Sequence, residues 1–142
     1  MKRLLHPVRR HAGSEEGAVA VEFALLAPLL FTLLFGIICF GYFFMVAHSV
    51  QQLAAEAARA SVYGITSSER QDLAEDFVDA GGTRFAILDQ SALTGTVVVD
   101  TGSTASITVD VDYDLSTSIL GLANGFLGLD LSTISVSAYV AY

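Results

Sequence analysis

The chain has 142 residues, 53% of them hydrophobic, and a formal charge of −8. Its mean hydropathy of +0.58 is too apolar for an ordinary small soluble domain. The acidic balance argues against nucleic acid, because binding phosphates needs a basic surface. One cysteine, Cys39, allows no internal disulfide and no Cys-rich metal site.

The chain opens with a basic leader, residues 1–17, carrying Lys2, Arg3, Arg9 and Arg10 and closing on Glu15-Glu16-Gly17. From Ala18 to Ala47 the single charged residue is Glu22. A helix needs about 20 apolar residues to cross the hydrocarbon core of a bilayer, so residues 18–47 are predicted to form one transmembrane helix with length to spare. A secretory signal would have an apolar core of only about 7–15 residues followed by a small-residue cleavage site. Here the core is longer and no A-x-A follows it closely. The break in character comes before the apolar run, so a cut there would leave the helix on the mature chain. Basic residues stay in the cytoplasm, which places the N-terminus inside and the C-terminal part outside the membrane.

Within the run, four features stand out. The Glu22 carboxylate is costly at membrane depth unless it finds a cationic partner or takes up a proton; an interfacial, hydrated position would also accommodate it. Pro28 cannot donate to the carbonyl of Ala24 and its ring crowds that turn, so a kink is predicted there, although a proline is also simply tolerated in a transmembrane helix. Gly36 and Gly41 are five apart, not the G-x-x-x-G of a dimer face. Tyr42, Phe43 and Phe44 suit the far membrane interface, and Cys39 reads as a small hydrophobe within the membrane.

Residues 48–63 continue the helix with Ala, Gln, Glu and Arg, all good helix formers. Phe43, Val46, Val50, Leu53, Ala57 and Ala60 follow a 3-4 spacing and make one apolar seam, with Glu56 and Arg59 placed to pair on its flank. A helix from Ala18 to Val62 would reach about 70 Å at 1.5 Å per residue. His48 sits near the membrane exit as a solvated residue.

The rest, residues 64–142, is predicted to be a small exported α+β domain. Ser68 with Gln71 makes a capping box, and "ERQDLAEDFVDAGG" reads as a short helix with Leu73 and Phe77 one turn apart and Gly81-Gly82 ending it. Its acidic face is read as solvated surface. "TGTVVVD", "ASITVDVDYD" and "LSTISVSAYVAY" read as three strands, the first two joined by the turn "DTGST". In the second strand Ile107, Val109, Val111 and Tyr113 face one way, and Thr108, Asp110, Asp112 and Asp114 the other. That alternation accounts for the aspartates without a metal; an EF-hand loop would need Gly and Glu where Leu115 and Gly121 stand. The segment "LSTSILGLANGFLGLDL" is glycine-rich and apolar: a loop covering a sheet edge or a surface that meets partners.

A short basic leader, a glycine, then an apolar helix with glutamate at its fifth position resembles the prepilin signature of type IV pilins. The wording "GAVAVEFALLAPLLFTLLFGIICFGYFF" is closer still to the TadE-like minor pilins, or pseudopilins, of the tight-adherence (Flp) pilus system, with Gly17, Glu22, Phe23, Pro28, Phe35 and Gly36 in the family's order. The resemblance covers roughly residues 14 to 60. It implies cleavage by a prepilin peptidase between Gly17 and Ala18, which makes Glu22 the fifth mature residue, and pairing of Glu22 with the N-terminal amine of a neighbouring subunit. It also implies a long helix packed on a small exported domain, and an inner-membrane precursor whose partners are the peptidase, the assembly platform and other pilins. The role would be structural, in a pilus for surface adhesion. No catalytic residue, metal or cofactor is assigned: two of three histidines lie in the leader and one at the membrane edge, and no P-loop, dinucleotide fingerprint or zinc spacing is present. Two other readings stay open. One is an uncleaved single-pass envelope protein with an exported partner-binding domain. The other is a minor pseudopilin of a type II secretion or type IV system, whose Phe-Thr-Leu-Ile-Glu-like start contrasts with Ala-Val-Ala-Val-Glu here.

Overall fold

The computed structural model describes residues 15–128 and 131–142, so most of the proposed leader, including His6 and His11, lies outside the described residues. The chain divides into two units, residues 1–37 and 38–142. Helix α1 (Glu15–Ser61) begins in the first and ends in the second. Its run past Pro28 is uninterrupted, and the Thr32 hydroxyl donates to the Pro28 carbonyl at 2.8 Å. Apolar side chains dominate this stretch and the backbone satisfies its own hydrogen bonds, which is what a helix needs in lipid.

The second unit is α+β. After α1 come α2 (Ser67–Asp79), a helical turn α3 (Gly81–Arg84), strands β1 (Leu93–Asp100) and β2 (Ser106–Asp114), helix α4 (Ile119–Leu127) and strand β3 (Thr133–Ala141). The three strands form one antiparallel sheet in the order β1-β2-β3. Strict alternation sets the register: Val97 pairs Val109, which pairs Ala138, and Val99 pairs Ile107, which pairs Val140. Because side chains alternate along a strand, Ile107, Val109, Val111 and Tyr113 are buried on one face, as their spacing predicts. Thr, Ser and Asp residues occupy most of the other face, together with the exposed Val98 and Tyr139.

The distal part of α1 supplies the other half of the core. Val46, Val50, Leu53 and Ala57 of the predicted seam are fully buried, in one cluster with the inward residues of β2. The buried stripe is wider than the seam, because Ala54, Ala58 and Ser61 join it; the Ser61 hydroxyl is satisfied by donating to the Ala58 carbonyl at 2.6 Å. On the flank, the Glu56 carboxylate accepts from Gln52 one turn back at 2.9 Å, in place of the predicted partner Arg59.

Three details of the domain differ from the sequence-based expectation. The capping box is Thr66 with Glu69, two residues earlier than Ser68 with Gln71. The Thr66 hydroxyl accepts from the Glu69 N–H, while the Glu69 carboxylate accepts from the N–H groups of Thr66 (3.1 Å) and Ile65 (2.9 Å). Glutamate at the third position reaches back to two donors, and that decides the frame. The buried residues of α2 are Ala74 and Val78; Leu73 is exposed and Phe77 lies at the edge, with the Arg84 guanidinium 4.0 Å from its ring centroid. Finally, α2 ends at Ala80, and the two glycines open the turn of α3 instead of closing α2.

Backbone N–H donation from Ile65 and Thr66 holds the Glu69 carboxyl below the usual carboxylate range. The hydroxyl and N–H of Ser91 do the same for Asp89, and the N–H of Ser116 for Asp114. A carboxylate whose folded pKa is depressed stabilises the fold above its unfolded pKa and loses that contribution as the pH falls. The midpoint of thermal unfolding should therefore decline on acidification from about pH 5 to pH 3. Thr66→Ala, which opens the box, should cost about 1 kcal/mol in denaturant titrations at neutral pH. Leu53→Ala, at a fully buried position, should cost about 2–5 kcal/mol by the same measurement.

Candidate functional site

Between Gly17 and Ile38 every residue of α1 is exposed except Ala27 and Gly36, which are half-buried. Most of those exposed side chains are large and apolar, among them Val21, Phe23, Leu29, Phe31 and Leu33. A contiguous apolar surface of this size marks a membrane or protein contact. The helix is also long and apolar enough to cross a membrane, with a mean hydropathy of 2.6 in its best window. It fits a membrane anchor.

The residues singled out in the sequence all fall on this helix. Gly17 and Ala18 lie in its exposed first turns, helical and not extended. Glu22 is exposed one turn after Ala18, so an amine at position 18 and the Glu22 carboxylate would stand on one face about 6 Å apart along the axis. Phe23 is exposed and points about 100° away from that face. Pro28, also exposed, belongs to the same continuous helix. The structure thus brings Ala18 and Glu22 together on one surface and leaves Phe23 and Pro28 as separate features. Among the described residues no group of three or more His, Cys, Asp or Glu is gathered to hold a metal ion.

The upper end of the apolar run behaves differently from the sequence reading. Tyr42 and Phe43 pack against the domain core, and of the proposed interfacial trio only Phe44 is largely exposed. The rings of Phe43 and Phe44 meet edge-on at 5.8 Å. Cys39 is buried by protein, next to Leu120 and Ala123 of α4. The segment containing α4, read from the sequence as a loop covering a sheet edge or a surface that meets partners, forms a helix. Its helix signals are a Ser118 hydroxyl accepting from the Leu120 N–H, apolar residues three apart, and Gly128 in the left-handed conformation (φ 63°) at its end.

Residues 17–59 match the family model for TadE-like proteins. No curated protein and no solved structure matches the chain. The match falls on α1 and stops short of the sheet domain. Over that long helix the chain is accordingly similar to the TadE-like proteins.

Proposed function

We propose that this chain is a minor pilin of a tight-adherence (Flp-type) pilus, made as an inner-membrane precursor and trimmed by a prepilin peptidase between Gly17 and Ala18. The observation that carries this reading is the coincidence of the TadE-like match with a solvent-exposed apolar helix that holds Gly17, Ala18 and Glu22 at its start. The leader stays in the cytoplasm and the α+β domain is exported. The peptidase needs an extended strand in its groove, so the first turn of α1 unwinds for cleavage. Glycine in a helix is weaker than alanine by about 0.5–1 kcal/mol, which favours unwinding at Gly17.

Cleavage frees the Ala18 amine, which is charged at neutral pH. Glu22 is the one carboxylate near it on the exposed apolar surface. It would pair with the amine of a neighbouring subunit, so that apolar helices join in one register while the charge is compensated. The role is structural: the chain works through contacts with the assembly platform and other pilins, in a pilus that serves surface adhesion.

The first test is the intact mass and N-terminal sequence of protein purified from its own membranes, with and without the prepilin peptidase. A mature chain beginning at Ala18 only when the peptidase is present is the expected result, with Gly17→Trp leaving the precursor uncut. A leader retained in both strains would favour the uncleaved-anchor reading. Separately, Glu22→Ala should leave membrane insertion intact and sharply reduce piliation counted by electron microscopy; normal piliation would remove the pairing role.

A further inference from the structure

Helix α4 is an apolar element with part of its described surface uncovered. Residues 118–128 read SILGLANGFLG and contain no charge. Leu120 and Ala123 are buried against α1, whereas Leu122 is 76% exposed and Ile119 44%. The element is built with care. A Cβ on Gly121 would collide with the Ser116 carbonyl, so only glycine lets the first turn of α4 close onto the preceding chain. The Asn124 side chain holds the return segment from both ends, donating to the Leu131 carbonyl at 2.8 Å and accepting from the Leu131 N–H at 3.2 Å. Loops that merely link strands need neither device.

Two observations indicate what covers the outer face. First, α4 meets α1 at Cys39, Phe40 and Phe43, inside the uncharged run and not beyond it. Phe40 is 51% exposed and lines the same small cleft as Leu120, and Ile38 and Phe44 beside it are exposed as well. The apolar surface of α1 therefore continues onto α4 without a polar break. Residues 18–37, which precede this contact, are the number that a helix needs to cross the hydrocarbon. Secondly, charge separates this patch from the exposed apolar patch at the end of α1. Tyr63, Ile65 and Leu73 are also uncovered, but they sit among Glu69, Asp72 and Asp76. Such an acidic rim repels a bilayer surface carrying anionic lipid; α4 itself carries no charged residue.

We infer that α4 is an interfacial foot: its outer face, centred on Leu122, lies in the lipid of the outer membrane boundary. Docked through Leu120 and Ala123 on Cys39 and Phe43, it anchors the exported domain to the bilayer at a second point. A short uncharged helix with one apolar face against protein and one against acyl chains gains the transfer energy of the second face only in contact with the membrane. The inference rests on the membrane reading of α1.

The test is spin-label accessibility on the full chain in vesicles of phosphatidylcholine and phosphatidylglycerol. Cys39→Ala, or Cys39→Val should the alanine variant lose its helical circular dichroism, removes the native thiol. Single cysteines then replace Leu122, Leu33 and Ile65, all exposed positions. Collision rates are compared for oxygen, which concentrates in lipid, and for a water-soluble nickel complex present on both sides. The labels at Leu122 and Leu33 should show a severalfold higher oxygen-to-nickel ratio than the label at Ile65. A Leu33 label in lipid with a Leu122 label resembling Ile65 would overturn the foot and leave the anchor standing. If Leu33 also resembled Ile65, the membrane reading itself would fall, and the foot with it. Shielding of Leu122 that disappears as the protein is diluted in lipid would show a contact between copies, which overturns the inference too.

Discussion

The structure depends on one helix meeting two different surroundings along its length. Over residues 17–38, α1 presents large apolar side chains to the outside on all sides. From Val46 onward it presents one stripe of valine, leucine, alanine and serine to a sheet, with Gln, Glu and Arg on the rest. The first pattern is stable only in lipid or in a bundle of similar helices. The second needs a partner surface of matching width. Strand β2 provides it, with Ile107, Val109, Val111 and Tyr113 in line, and β1 and β3 extend it on either side. Take away the stripe, and the sheet has one bare apolar face and no reason to fold.

Chemistry is sparse on such a scaffold. Under the proposed function the residues at the start of α1 would act by position: a glycine where the backbone would open, an alanine whose amine would be freed, and a carboxylate one turn later. None of them requires a pocket. The carboxylates of the domain are similarly employed in local structure, Glu69 in its capping box, Asp89 and Asp114 in turns with Ser91 and Ser116. Their depressed pKa values reflect backbone and hydroxyl donors, the usual signature of capping.

The strands and the long helix were legible because their patterns are periodic and strong. Alternation in "ITVDVDY" admits one register against a core, since a slip of one residue would bury Asp110 and Asp112. The seam at 43, 46, 50, 53 and 57 is equally restrictive. Where signals compete, the reading shifts. Both Thr66-x-x-Glu69 and Ser68-x-x-Gln71 fit a capping box, and the carboxylate wins through its two backbone bonds. Phe43 belongs at once to the seam and to an aromatic belt; packing against the core takes precedence. Helix α4 was hidden by its glycines at 121 and 125, which lower helix propensity. Gly121 is there for the close approach to Ser116, a tertiary demand that a single sequence does not display. As for Gly17, Ala18 and Glu22, a lone chain shows where they stand, whereas the work proposed for them would involve a second molecule.

The stacked arginines have a consequence for how copies of the domain meet. Beyond Gly17 the cations are Arg59, Arg70 and Arg84, against thirteen acidic residues. Arg70 lies 3.6 Å over the ring of Tyr142, with one guanidinium nitrogen buried, and Arg84 lies over Phe77. Cation–π stacking of this kind fixes where these two charges sit without cancelling them. The outward surface is strongly acidic, above all on α2 and the outer sheet face. Two such domains brought side by side repel over a Debye length, about 10 Å at moderate salt. Close approach of two such domains is thus sensitive to ionic strength.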